Sequence, residues 1–377
     1  MPRSSHSLRN NLKQARRKAG ITQGELASQA NISRQAYSSL ESGNANPSTE
    51  IALRLAQVLG ERVESLFYLP VRLPETVEAE LIGDYVAGGG AVQRARLFRV
   101  GKRLLARPLA GPDNTRHSLV AAEGLIVSQE DAGQVTLQPF DQEEVELPTL
   151  SMLGCDPAVG LLEAGLRSRG VALVAGEEGS RQALLGLARG EAHVAGCHLL
   201  DDATGTYNNF WVRQLVPFPC TLVTFASWEQ GLIVASGNPK QVLGVPDLAN
   251  PGILMVNRQA GSGSRALLDR ALTEAGVPTA KVAGYEREEW GHLGVAAAVA
   301  SGSADVGIGV KAAAVAMGLD FLYLEEERYD LVIPDHFLDE RPVQVLLDLL
   351  RTPSLHRRVE SLGGYDVSSM GIPASNG

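Results

Sequence analysis

Cysteine is scarce: 377 residues hold three, Cys155, Cys197 and Cys220. Three scattered thiols cannot build a disulfide framework or a cysteine-rich zinc site, so buried free thiols and no metal centre are expected. Long apolar runs are missing as well. None approaches the roughly 20 residues that span a bilayer. The opening MPRSSHSLRNNLKQARRKAG has basic residues with no apolar core behind them, which is not the pattern of a secretory signal. No membrane partner and a cytoplasmic location are therefore expected. Also absent are G-x-S-x-G, H-E-x-x-H and any Cys–His pair with a local signature. No catalytic residue, cofactor or metal ligand is assigned on this reading, which points away from an enzyme.

What remains is the composition of a globular chain, 44% hydrophobic and 20% charged, long enough for two or three buried cores. The net charge of −9 conceals a division. Residues 1–70 carry nine Lys/Arg against five Asp/Glu, and the rest carries 25 against 38. A basic head on an acidic body fits a polyanionic partner for the head alone. Punctuation at Gly20, Asn31, Gly43 and Gly60 divides 7–66 into four or five short helices. LPVRLPETVE (69–78) reads as a linker. Runs such as AVQRARLFRV and RLLARPL on either side of Gly101, and GLIVSQEDAGQVTLQPF around Gly133, make 79–148 β-rich. Its arginines at 94, 96, 99, 103 and 107 suggest a basic strand face, open to solvent, to a dimer partner or to DNA. From 149 onward short strand candidates alternate with helices: TLSMLG, VALVAG, AHVAGCHLL, TLVTFAS, GLIVAS, GILMVN, KVAGYE, ADVGIGV and LDFLYL. That is an α/β layout with a largely parallel sheet. The expected divisions are 1–69, 70–148 and 149–377.

ITQGELASQANISRQAYSSLESG (21–43) carries the densest local signal. Thr22 and Glu25 have the spacing of a capping box, which opens a helix. Ala27 and Ala30 are small where two helices would cross, and Asn31 tolerates the left-handed backbone of a sharp turn. Ser33 caps a second helix with Ala36, Tyr37 and Leu40 facing inward. Arg34, Gln35, Ser38 and Ser39 are left outward near its N-terminus, where Arg and Gln suit bidentate readout of guanine and adenine. The stretch resembles the phage-repressor-like helix-turn-helix family of the lambda and Cro type (XRE). The likeness covers 7–66 and rests on TQ..LA (22–27), ISR (32–34), LESG (40–43) and NPS (46–48). It implies double-stranded DNA as a partner, with Gln23 and Asn46 on phosphates, Arg34, Gln35 and Ser39 reading bases, and Ser33 and Ser38 beside them at the DNA. Gly24 inside the first turn departs from a good helix, at about 0.5–1 kcal/mol against Ala.

NRQAGSGSRALLD (257–269) separates the apolar run at 253–256 from a helix beginning near Ser264. Backbone N–H groups and a positive helix end favour an anion there. Gly261 and Gly263 permit close approach, and Asn257, Ser262, Ser264 and Arg265 add donors and charge. GSGSRA also satisfies G-x-G-x-x-[GA], with Glu286 about 20 residues on, so a dinucleotide-using enzyme carrying a DNA-binding head stays open. Loops at other strand ends contribute Asp156, as helix cap or ligand contact, and Ser180, Arg181, His292 and Lys311. The carboxylate clusters EREE and EEE read as solvated faces.

This assembly resembles the type II periplasmic-binding-protein fold, two α/β lobes joined by crossing strands. More narrowly, it is similar to the PBP-like domain found beside helix-turn-helix modules and on some molybdopterin-biosynthesis proteins. The residues are GCDPAVGLL, GEAHVAGCHLLD, EQGLIVASGNPK, VNRQAGSGSRALLD, AAAVASGSADVGIGVKAAA and GLDFLYLEEERYDLVIP, spread over most of 149–367. The resemblance implies that TLVTFASWEQGLIVAS and LYLEEERYDLVI cross between the lobes. It also implies a small anionic effector such as molybdate, tungstate or a molybdenum-cofactor species. The expected whole is an all-α helix-turn-helix head, a small β-rich segment and a two-lobed α/β body. Together they make a ligand-responsive one-component transcription regulator acting as a homodimer.

Overall fold

Helices start where a side chain meets the N–H groups that have no partner within the helix, and the head is built from such starts. The computed structural model describes residues 8–69, 74–83, 93–109, 122–131, 133–201 and 203–374. Positions 70–73 of the linker expected at 69–78 lie outside them. The chain divides into two compact units, Met1–Leu73 and Pro74–Gly377. The first runs β1 (Arg9–Asn10), α1 (Leu12–Lys18), α2 (Gln23–Gln29), α3 (Arg34–Glu41), α4 (Thr49–Leu59), α5 (Val63–Leu66) and β2 (Phe67–Tyr68), with β1 and β2 antiparallel. Thr22 Oγ1 accepts from the Glu25 N–H at 3.3 Å while the Glu25 carboxylate accepts from the Thr22 N–H at 2.7 Å. Ser33 and Ser48 cap α3 and α4 in the same way. Asn31 turns the chain between α2 and α3 at φ 57. Leu12, Leu26, Tyr37, Leu40, Leu55 and Leu66 form the core. Ala36 is exposed rather than inward: one residue is about 100° of helix, which carries it off the face held by Tyr37 and Leu40.

The second unit opens with a closed barrel. Its strands β3 (Val77–Leu81), β4 (Gln93–Val100), β5 (Arg103–Pro108), β6 (Gly124–Asp131) and β7 (Gln134–Pro139) are ordered β3-β5-β4-β6-β7. Alternating residues such as Ala79, Ala95, Leu97, Val135 and Leu137 fill it. Its arginines do not make a free basic face. Arg96 pairs with Glu123 at 2.9 Å, Arg107 is half-buried over the Phe98 ring, and Arg103 is held by Glu80. Arg103 also donates to the carbonyls of Arg189 and Gly190 at 2.9 and 2.8 Å. Arg99 and Thr149 exchange two hydrogen bonds, from the Arg99 N–H to Thr149 Oγ1 and from that hydroxyl to the Arg99 carbonyl.

After α6 (Gln142–Glu146) come the lobes. The first holds β8 (Thr149–Gly154), α7 (Leu162–Arg167), β9 (Ala172–Glu177), α8 (Ser180–Ala188), β10 (Val194–Cys197), the small hairpin β11 (Leu200–Asp201) and β12 (Thr206–Tyr207), and α9 (Asn209–Leu215). The chain leaves along β13 (Cys220–Val234) into a second lobe of β14 (Met255–Arg258), α10 (Gly263–Glu274), β15 (Glu288–Glu289), α11 (Gly291–Ala300), β16 (Val306–Val310) and α12 (Lys311–Ala316). It returns along β17 (Asp320–Pro334) to α13 (Arg341–Leu350), α14 (Pro353–Glu360) and β18 (Tyr365–Asp366). One sheet runs β15-β14-β16-β13-β17-β10-β8-β9, with β18 against β13. β13 and β17 pair antiparallel from Cys220–Pro334 to Val234–Asp320 and are the two crossings. The sheet is therefore mixed rather than largely parallel. Parallel wings (β15-β14-β16 and β10-β8-β9) flank an antiparallel pair, because a chain that crosses out and back must reverse. KVAGYE (281–286) is turns, not a strand. Gly284 sits at φ 87, and a Cβ there would run into the Met255 carbonyl, so the edge strand forms later, at Glu288–Glu289.

Candidate functional site

In the head, α3 presents Arg34, Gln35 and Ser38 to solvent, with Ser33 at its cap, Ser39 half-buried and Asn46 exposed in the following loop. Gln23 is differently employed. Its amide donates to Glu41, which also receives Arg16 at 2.8 Å and the Tyr37 hydroxyl at 3.1 Å. That side chain braces the α2–α3 pair internally instead of reaching out to a phosphate.

In the body, loops from both lobes meet over the crossing strands. A Cβ on Gly179 would lie within 4 Å of Gly261 and Ser262, one on Gly263 would strike the His198 ring, and one on Gly291 would strike Glu177. The lobes touch, and the glycines are what lets them. Several expected contacts are committed elsewhere. Arg265 lies over the Tyr285 ring at 4.6 Å and pairs outward with Glu288 at 2.5 Å and Glu286 at 3.5 Å. Lys311 holds Glu229 at 3.0 Å, and Arg181 is exposed, 6.0 Å over the Trp211 ring. Asn257 is buried and consumed, donating to the Tyr285 carbonyl and accepting from the Arg258 N–H. Ser262 Oγ caps α10 by accepting from the Arg265 N–H, and the Ala260 N–H donates to Glu288. The glycine-serine loop is thus tied mostly to its own lobe. Gly261 is exposed there, while Ser180, Gly263, Ser264, Asp156 and His292 are buried at the cleft.

What the cleft holds instead is a set that sequence spacing did not disclose. Period two along the crossings aims Trp228 and Gln230 of β13, and Glu327 and Tyr329 of β17, at the waist. Glu327, read as part of a solvated cluster, is buried. Its Oε2 accepts from His198 Nδ1 at 2.8 Å, Trp228 Nε1 at 3.2 Å and Gln230 Nε2 at 2.9 Å. On its other side His198 Nε2 lies 3.4 Å from Cys155 Sγ. Burial alone would lower the His198 pKa, but the neighbouring Cys155 and Glu327 outweigh it and raise it to about 10. The ring is then an imidazolium. Ser180 Oγ accepts from the His198 N–H, and Ser264 Oγ accepts from Gln230. Gly263→Ala would push this ring aside, and a loss of about 1–3 kcal/mol is expected from such overpacking. Unchanged melting in calorimetry would show that the ring is not seated against α10.

Arg258 completes the set. It is fully buried, and its Nε donates to Gln259 Oε1 at 3.0 Å. Among the described residues Nη1 and Nη2 have no hydrogen-bond partner, and neither do Gln259 Nε2, Gln230 Oε1, His292 Nε2 and Asp156 Oδ2. Burial lowers the Arg258 pKa, with Cys155, Glu177 and Glu327 pulling the other way; a guanidinium nonetheless keeps its charge. His292 accepts the Val310 N–H on Nδ1 at 3.3 Å, so its proton sits on Nε2, which becomes a donor. Its pKa lies well below the ordinary value through burial and the facing Arg258 and His198. Asp156 caps the turn at Pro157–Leu161, receives the Tyr365 hydroxyl at 2.6 Å, and is pushed up to about 6 by burial. Cys155, Asp156, Glu177 and His292 line a cavity of about 170 Å³.

Two family descriptions match this chain: a PBP superfamily domain over residues 163–351, and a helix-turn-helix over 12–66. The chain belongs to the PBP superfamily domain family. Among relatives, the uncharacterized protein YvgK of Bacillus subtilis (strain 168) is 34% identical over 195 residues, 52% of this chain and 63% of that protein. The chain thus spans less than two thirds of YvgK. An uncharacterized HTH-type transcriptional regulator of Archaeoglobus fulgidus is 38% identical over 60 residues, 16% of this chain and 86% of that protein. The tungstate ABC transporter structure from Geobacter sulfurreducens superposes with a TM-score of 0.43 at 15% identity, covering 56% of this chain and 98% of that one. A likeness so distant says nothing about the ligand of this PBP superfamily member. No helix among the described residues is long and apolar enough to cross a membrane.

Proposed function

We propose that the chain is a DNA-binding transcription regulator whose body closes around a small anion. The observation that carries this reading is the fully buried guanidinium of Arg258, whose two terminal nitrogens make no hydrogen bond of ordinary geometry to a described protein group and have the Cys155 sulfur nearby. Buried polar groups are ordinarily hydrogen-bonded, and a planar fork of N–H donors matches a carboxylate or a similar oxyanion. The His292 Nε2–H and the Gln259 amide add neutral donors to the same anion. The neighbouring cavity of about 170 Å³, lined by Cys155, Asp156, Glu177 and His292 and not by Arg258 itself, is well below the roughly 300–1,000 Å³ of drug-sized ligands, which weighs against the dinucleotide-using enzyme.

Titration calorimetry with molybdate, tungstate, sulfate, phosphate and small carboxylates tests the anion site. Heat from at least one, lost in Arg258→Met, is expected; no heat from any of them rejects it. In the head, Arg34, Gln35, Ser38 and Ser39 would meet base edges, with Ser33 and Asn46 beside the backbone, in a homodimer working in the cytoplasm. Arg34→Ala is expected to cost about 1–3 kcal/mol on a duplex selected from random sequences, with specificity relaxed at one position. Equal binding by Arg34→Ala and the parent chain in an electrophoretic shift would reject α3 as the reading helix. A ligand shifts operator affinity only by its preference between lobe arrangements, so operator binding with and without the bound anion tests the switch.

A further inference from the structure

We propose that Cys155 is a nucleophile, and that the cleft captures a small monocarboxylate with an adjacent carbonyl, a 2-oxo acid, through a reversible carbon–sulfur bond. The inference rests on the reading of Arg258 as an anion site and adds to it a bond that simple anion binding does not need.

Three groups carry it. Cys155 Sγ, the His198 ring and the Glu327 carboxylate stand in line at 3.4 and 2.8 Å, all buried. A nucleophile, a group that takes its proton, and an acceptor that orients that group are the parts of activated thiol chemistry. A histidine placed only for packing would not need a buried carboxylate that also gathers Trp228 and Gln230. Cys197 packs in a different core, with Leu153 and Ala195, so Cys155 has His198 as its polar neighbour rather than a disulfide partner. The charged and titratable groups facing Cys155 are His198, Arg258, Cys197, Tyr329 and Tyr365. His198 Nε2 lies 3.4 Å from the sulfur while Nδ1 is held by Glu327, which places the ring to carry the thiol's proton as the sulfur attacks.

The ligand class follows from charge and size. Arg258 and His198 are offset by Glu327 and by Glu177, which lines the cavity. The planar fork of Arg258 nitrogens matches one carboxylate, and the carboxylates of Asp156, Glu177 and Glu327 around the cleft weigh against a ligand with a second negative charge. With the carboxylate on Arg258, the neighbouring carbonyl carbon lies toward Cys155. In the step, the sulfur lone pair forms the C–S bond, the carbonyl π pair moves to oxygen, and that oxygen takes the proton from His198 Nε2. The His292 Nε2–H is a second donor for the oxygen. Nothing is oxidised and no group leaves, so the hemithioketal reverts by the same path, as a sensor requires.

The test uses the full chain with isotope-enriched pyruvate and glyoxylate, and with oxamate as a monoanion of similar shape whose amide carbonyl does not add thiols. The expected result is a protein-bound carbon resonance in the saturated, sulfur-bearing region. Cys155→Ser should abolish it and weaken 2-oxo acid binding roughly tenfold or more relative to oxamate binding. If pyruvate and glyoxylate bind the parent chain without that resonance, the covalent proposal falls and the anion site stands. If neither they nor oxamate bind, the proposal falls as well. Should Arg258→Met then leave the response to every anion unchanged, the anion reading goes with it. The resonance is read on the parent chain, so its presence or absence decides the matter whether or not a variant folds.

Discussion

Arg258→Met is expected to abolish anion binding and at the same time to raise the melting temperature of the ligand-free protein. Losing the partner of a buried charge costs about 2–5 kcal/mol in binding, a fall of at least thirtyfold in affinity at the lower end. Stability should move the other way. The guanidinium is fully buried with two unsatisfied nitrogens, and replacing such a group by an apolar side chain of similar length removes a desolvation cost. Calorimetric melting of both proteins without ligand, then with it, separates the effects. A variant that melts lower in both conditions would mean that the guanidinium supports the fold rather than the site.

The second large effect is expected at Glu327. Glu327→Leu removes the carboxylate from three donors and leaves His198 facing an apolar group, a situation that costs about 3–5 kcal/mol when one partner of a buried pair is lost. The pH dependence gives a signature. Folding raises the His198 pKa from about 6.5 to about 10, so between those values the folded state binds more protons than the unfolded chain. The stabilisation is full below the lower value and is lost as pH rises through the upper one. Denaturant titrations of the parent chain should therefore show stability falling across that interval. The variant loses the Glu327 contribution but keeps that of Cys155, so its slope should be shallower and confined to a narrower interval. A parallel decline in both would place the titrating group elsewhere.

The head could be read residue by residue because its determinants are local. The Thr22–Glu25 box, the Ser33 cap, the turn at Asn31 and the left-handed Gly60 each act within a few residues. Gln23 escaped because its partner, Glu41, lies on the next helix. In the body, the crossing strands and the strand-end loops were visible as pattern, but the direction of each side chain was not. Arg265 and Lys311 stand beside the right turns and point to Glu288 and Glu229, whose positions depend on other elements. Arg258 ends a strand and resembled an ordinary boundary residue, and nothing local says that its guanidinium turns inward. Cys155 and His198 are 43 positions apart and His198 and Glu327 are 129 apart, so no spacing rule joins them. One signal was present: alternation along β17 separates exposed Glu326 from buried Glu327, which distinguishes the members of a cluster that composition alone treats as uniform.

The barrel's fastenings have a mechanical consequence. Arg99 and Arg103 fix it to Thr149, Arg189 and Gly190, all in the lobe that β8–β10 build, and Gly101 sits against Phe337 at the same end of the molecule. None of these fasteners reaches the lobe of β14–β16. Any rocking about the two long strands therefore has a stationary side, made of barrel and near lobe, and a travelling side. The second unit begins at Pro74 and enters the barrel through β3, on that stationary side.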